Sequence, residues 1–227
     1  MPPSVYLRNG MLKKILFVLA LLTSSVVIAD CPQFYPNRIP MKPKGSTELC
    51  NSFFVTLYDE KNNRALFSSE LLQPSGHNLP RKNSFHADKR VKNPIRPTDY
   101  LKTKKDRGHL VPSDDATTEK EMFDTYNMTN MTPQNPVLNR GQWKKLEGIT
   151  RRFAGAGGVP INVVTGAIYE SKELMADLVP IPTAYYKILY LANKPAKAFY
   201  AENSSDASVQ TINIEKINIK TGYNFPK

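Results

Sequence analysis

The feature that most narrows the fold is one long run at helical spacing set among shorter segments of β character. Leu138, Trp143, Leu146, Ile149 and Phe153 recur at the steps that place side chains on one face of an α-helix, which predicts a helix over 136–153. Glycines between Gly155 and Gly158 mark its end. Around it the period changes. Residues 52–58 (SFFVTLY) are β-branched and aromatic and predict a strand, with 62–67 as its hairpin partner after the polar turn 59–63. Residues 161–164 and 185–191 predict buried strands, and 209–214 a weaker one. Together these predict an α+β domain, an antiparallel sheet with a few packed helices.

The ends of the chain narrow its setting. Lys13 and Lys14, an apolar run over 15–22 and the small residues Val27 and Ala29 read as an export leader over 1–29. The run is short for a membrane span, and Asp30 before Cys31 argues against lipid attachment. Nothing before Met11 adds to the leader, so Met1 and Met11 both stand as starts. A domain over 30–227 is large enough for one core. Three of the 31 Lys and Arg residues (Arg8, Lys13, Lys14) lie in the leader, which has no acids, leaving 28 against 20 acids, a net of +8. That balance attracts polyanions without specifying any chemistry. The leader implies a secreted or periplasmic protein, and in an exported chain Cys31 and Cys50 predict a disulfide. The Pro-rich residues 30–50 read as an extended arm, and 73–99, with His77, Arg81, His86, Arg90 and Arg96, as a long functional loop.

Candidate chemistry gathers in three motifs: Asp106-Arg107-Gly108-His109, then Asn130-Met131-Thr132-Pro133-Gln134, then Asn139 to Arg151. An imidazole is the side chain best suited to take a proton from water near neutral pH, and there are only three histidines. Gly108 is read as relaxing the backbone so that His109 is aimed unusually. In a regular helix Asn139 and Glu147 stand about 12 Å apart along the axis, so one of them binds a cation and the other a cation-bound water, an arrangement suited to Mg²⁺. Glu147 and Arg151 share a face and are placed to pair. Trp143 reads as a core anchor, His86 as an exposed loop residue, and Lys102, Lys104 and Lys105 as phosphate contacts or a solvated strand end. The sequons at Asn127, Asn130 and Asn203 are read as chance.

The run DRGHLVPSDD followed by NMTPQNPVLNRGQWKKLE resembles the DNA/RNA non-specific endonuclease family, whose members include a secreted Serratia-type nuclease and mitochondrial endonuclease G. The similarity extends through Pro97-Thr98-Asp99-Tyr100, Val164-Thr165-Gly166 with Tyr169-Glu170, and PTAYYK at 182–187, covering about residues 80 to 190 with a weaker echo at 212–223. The resemblance implies a ββα-metal site. His109 is then the general base, Asn139 the direct ligand of one Mg²⁺ (Mn²⁺ substituting), and Glu147 the holder of a metal-bound water. Asn130 helps orient the catalytic groups, Arg107 and Arg151 flank the scissile phosphate, and Gln134 supports them from behind. The implied activity is hydrolysis of DNA and RNA to 5′-phosphate products. The family also carries an arginine before an aromatic residue and an aspartate. Phe85 and Asp88 match these, but 82–84 are Lys82, Asn83 and Ser84, leaving Arg81 or Lys82 for that substrate contact. The rival is an exported polyanion binder that has lost catalysis, against which the intact His109, Asn139 and Glu147 count. No interface signature decides between monomer and homodimer.

Overall fold

The computed structural model describes Met1 and residues 31–76, 79–192 and 194–227; apart from Met1, the leader read over 1–29 lies outside the described residues, as does His77. In chain order the strands are β1 (Thr47–Cys50), β2 (Phe54–Asp59), β3 (Arg64–Leu72), β4 (Asp106–His109), β5 (Met131–Gln134), β6 (Ile161–Ile168), β7 (Leu174–Met175), β8 (Val179–Pro180), β9 (Ala184–Leu191), β10 (Lys194–Glu202) and β11 (Gln210–Thr211). The helices are α1 (Glu119–Thr125), α2 (Pro136–Leu138), α3 (Lys144–Gly157) and α4 (Ile214–Thr221). Seven strands form one antiparallel sheet in the order β1-β2-β3-β6-β9-β10-β11, while β4 pairs with β5 and β7 with β8 apart from it. The fold is therefore α+β, as the sequence pattern predicts. Among the described residues no helix is long and apolar enough to cross a membrane.

Alternation along the strands builds a core on each face of the sheet. On β9, Tyr186, Ile188 and Tyr190 point toward Phe34, Tyr35, Ile217 and Phe225. Tyr185 points the other way, toward Leu110, Leu138, Trp143 and Leu146, and that face carries the ββα unit. The N-terminal arm is not extended. It makes two tight turns (Pro32–Phe34 and Pro36–Arg38), seats Phe34 and Tyr35 in the core and ends as edge strand β1. The expected disulfide joins Cys31 and Cys50 across a separation of 19 residues. A loop of that size contributes about 3 kcal/mol in the chain-entropy picture.

Several elements differ from their sequence expectations. The helix expected over 136–153 is a composite: α2, a π turn over Asn139–Trp143 in which Gly141 leaves helical angles (φ −105, ψ −106), and then α3, closed by Gly158 in the left-handed region (φ 63). Trp143 is buried as expected, but Ile149 is 48% exposed. The buried stripe runs through Leu146, Thr150 and Ala154; Thr150 is admitted because its hydroxyl donates to the Leu146 carbonyl at 2.9 Å. Residues 209–214 hold only the short β11, because Asn213 caps α4 by accepting from the Glu215 N–H. β10 escapes the pattern because Pro195 and its lysines break the apolar run; the pairing with β9 tolerates this through a bulge between Pro195 and Lys197. α1 is too short to show a period, and its signal is the capping box of Thr118 and Glu121. Of the sequons, Asn127 and Asn130 are buried, and the Asn203 amide donates to Pro133 and Pro182 carbonyls.

Candidate active site

The DRGH run is β4, and its register against β5 pairs Gly108 with Thr132 and His109 with Met131. Gly108 has no left-handed backbone, so the expectation of unusual aiming is replaced by one of space: a Cβ there would collide with the buried Gln134 side chain. Asn130 anchors the chain on both sides of this pair. Its oxygen accepts from the Ser68 hydroxyl (3.1 Å) and the Val111 N–H (3.1 Å), and its nitrogen donates to the Val111 (3.0 Å) and Thr125 (2.9 Å) carbonyls. All four hydrogen-bonding positions are filled in a fully buried side chain, so Asn130 is equipped to hold the backbone after His109 in place, not to meet a ligand. Below it, Thr132 Oγ1 and Tyr185 Oη lie 3.0 Å apart, tying the pair to β9.

His109 is half-buried among the rings of Phe85 (5.7 Å) and Tyr126 (5.1 Å). Its Nε2 is closed off without a partner among the described residues, leaving Nδ1 as the nitrogen toward the pocket. Burial, with the Arg81 and Arg107 charges, pushes its pKa down to about 3, so the ring is neutral at working pH. Arg107 lies over the Phe85 ring at 4.2 Å, and Arg81 Nε donates to Tyr126 Oη at 3.0 Å. Phe85 thus packs against His109, Arg107 and, edge to face at 4.8 Å, Tyr126. Asp88, its match in the family pattern, is buried and accepts from Arg90 and Thr129, a structural tie. His86 is not an exposed loop residue; it stacks on Phe123 at 4.1 Å.

Asn139 and Glu147 line the same pocket as His109, Arg81 and Arg107, a cavity of about 140 Å³. The Asn139 nitrogen donates to Asp106 Oδ2 at 2.8 Å, which leaves the amide oxygen for a ligand. Asp106 is held in turn by Arg140 (2.6 and 2.8 Å). Burial alone would raise the Asp106 carboxyl, but Arg140 and Asn139 bond to it and hold it below the usual range. Glu147 responds mainly to burial, with Asp115 pushing the same way against Lys187, and its pKa is pushed up to about 7. An amide oxygen and a carboxylate at one pocket form the donor set of a hard divalent cation.

The remaining sequence candidates lie outside this pocket. Lys82 pairs with Glu119 (2.6 Å) and lines a separate depression, so Arg81 is the upstream cation that faces the site. Lys104 and Lys105 precede β4 and line neither that pocket nor the adjoining one. Arg151 pairs with buried Asp115 (2.6 Å), not with Glu147, because Asp115 follows β4 and reaches the flank of α3. Beneath them Glu70 on β3 is fully buried, with no hydrogen-bond partner for either carboxylate oxygen among the described residues, and burial, reinforced by Asp115, pushes it well above the usual carboxylate range. Sequence reasoning assigned no role to Asp106, Glu70 or Asn203. Asn203 accepts from the Asn135 N–H (2.7 Å) and donates to the Pro133 carbonyl (3.0 Å), fixing the corner between β5 and α2. Only Asp106 carried a local signal, as head of the DRGH run.

The description of DNA/RNA non-specific endonucleases matches residues 36–227. The chain belongs to the DNA/RNA non-specific endonuclease family. Within that family it is 26% identical over 168 residues to a nuclease of Nostoc sp., covering 65% of this chain and 61% of that protein. It is 30% identical over 173 residues to mitochondrial endonuclease G of Bos taurus, covering 69% of this chain and 56% of that one. A nuclease of Serratia marcescens is 31% identical over 118 residues, with 47% and 44% covered. The chain thus spans roughly three fifths of the length of the first two relatives. The endonuclease fold is also seen in a solved EndoG/EndoGI complex, which matches with a TM-score of 0.68 at 24% identity over 78% of this chain and 84% of that one.

Proposed function

We propose that this chain is a divalent-metal-dependent endonuclease that hydrolyses DNA and RNA without sequence preference and leaves 5′-phosphate ends. One observation carries the reading: a neutral His109 and the Asp106-anchored amide of Asn139 open into the same small basic pocket. Asn139 would hold Mg²⁺ (or Mn²⁺) directly and Glu147 a water of its shell; Glu147 makes no hydrogen bond among the described residues that would compete. Bound there, the cation supplies Lewis-acid stabilisation of the charge on the departing 3′ oxygen. His109 takes the proton of the attacking water at Nδ1, the nitrogen on the pocket side. Arg107, pre-oriented on Phe85, and Arg81 hold the non-bridging phosphate oxygens with planar donor forks. Asn130 and Arg151 act through position, one holding the His109 segment and the other holding Asp115 beside Glu147. The Cys31–Cys50 bond suits an oxidising compartment, which favours a secreted or periplasmic enzyme released from a leader over 1–29.

The test is direct. With Mg²⁺, purified protein is expected to degrade plasmid DNA and a structureless RNA side by side; degradation of neither sinks the reading, and bound but intact substrate marks a binder.

The pH profile carries a second prediction. His109 is already neutral, so the acid limb of kcat/KM belongs to Glu147, which gains its charge as pH rises through about 7. The rate is expected to climb through that pH, with the limb moving acidward at higher Mg²⁺ because the nearby cation and its water favour the charged carboxylate over the protonated one. Glu147→Gln is expected to erase the limb. A limb that survives in this variant belongs to another group.

A further inference from the structure

Resting on the nuclease reading, we infer that the outward face of α3 is a track for the phosphate backbone of the nucleic acid that flanks the cleaved bond. Lys144, Lys145 and Arg152 are all exposed there, and with Arg140, Gly148 and Ile149 they line a depression of about 530 Å³. Arg140 and Lys144 also line the His109 pocket, and Arg140 lines the depression at Arg107 and Phe85. The three depressions are therefore one continuous surface, running from Arg81 past His109 to Arg152.

Charge and spacing fit a polyanion. Glu147 is the one acid on α3, and it faces the His109 pocket. Lys144, Lys145 and Arg152 have no ion pair among the described residues, whereas Lys82, Lys120 and Arg140 each have one and Arg151 has two. Lys144, Gly148 and Arg152 fall four apart on one line of the helix, spanning about 12 Å of axis. That length matches roughly three to four nucleotides of one strand of a duplex at its axial rise. Gly148 presents no side chain of its own, so the Arg152 guanidinium folds back over it toward Lys144, and exposed Ile149 offers apolar contact to a sugar. Unpaired cations collected on one helix face repel each other, a cost that counter-charge from a bound strand removes.

The consequence is length dependence. In full-length protein carrying His109→Ala, binding of a DNA duplex of about 30 bp and of a tetranucleotide is measured by anisotropy across a salt series. Adding Lys145→Glu and Arg152→Glu is expected to weaken duplex binding about tenfold or more near 0.1 M salt and to lower the salt slope by about 2, with much less effect on the tetranucleotide. The neutral pair Lys145→Gln and Arg152→Gln is expected to give an intermediate loss, and melting curves confirm that each variant is folded. The same two charge reversals at Lys102 and Lys104 are expected to change the duplex slope less. Duplex affinity within about twofold with an unchanged slope overturns the track, as does an equal loss on both ligands. Because the readout is binding, absent turnover by unsubstituted protein sinks the nuclease reading without producing either of these results.

Discussion

His109→Ala is expected to lower kcat on plasmid DNA by about 10²–10⁴-fold while leaving DNA affinity nearly unchanged. The size follows from what the ring does. It is neutral, held by Phe85 and Tyr126, and its Nδ1 is the nitrogen open to the pocket. Phosphate binding falls to Arg81 and Arg107, which the substitution leaves in place. The fold tolerates the change, because Nε2 already lacks a hydrogen-bond partner among the described residues and its removal strands nothing. Single-turnover kinetics and a melting curve on the same preparation separate lost chemistry from lost structure. A kcat within about fivefold of the unsubstituted protein assigns proton abstraction elsewhere.

The second large effect concerns the cation. Chelation is expected to reduce cleavage to background, and Asn139→Ala to leave little activity at any practical Mg²⁺ concentration. Asp106→Ala separates ligand from support. Asp106 does not supply the proposed direct contact; it fixes the Asn139 amide through the 2.8 Å bond and is itself held by Arg140. Losing such support is expected to raise the Mg²⁺ concentration for half-maximal rate by about 10–100-fold, with much of kcat recovered at saturation. A kcat that stays depressed at saturating Mg²⁺ gives Asp106 a role beyond holding the amide. Cleavage that persists in chelator removes the metal from the account.

What was legible in the sequence was local. The strand cores 54–58 and 185–191 and the Trp143–Leu146 contact follow from period, and the shared pocket of His109, Asn139 and Glu147 follows from the family resemblance of their motifs. The partners of those groups are tertiary, and they were not. Arg151 sits four residues from Glu147 yet pairs with Asp115, 36 positions away, and Asn203 reaches the β5–α2 corner from 68 positions away. Arg81 and Lys82 are adjacent cations in one loop; only Glu119 on α1 decides which of them turns from the site. Ile149 outranks Thr150 in hydrophobicity, but Thr150 is the one buried, because its hydroxyl returns to the helix backbone. Glu70 gave no signal at all, since an acid in a strand reads as an exposed position until the layer above it is known.

The central claim is that His109 and an Asn139-bound cation flank one phosphate. Its most direct test is a crystal structure of the His109→Ala protein with a short oligonucleotide and Mg²⁺. The account predicts one cation on the Asn139 amide oxygen, with a phosphate between it and the vacated imidazole position and Arg107 on its oxygens. A cation bound away from Asn139, or a phosphate seated where the position 109 side chain cannot reach its attacking water, contradicts it.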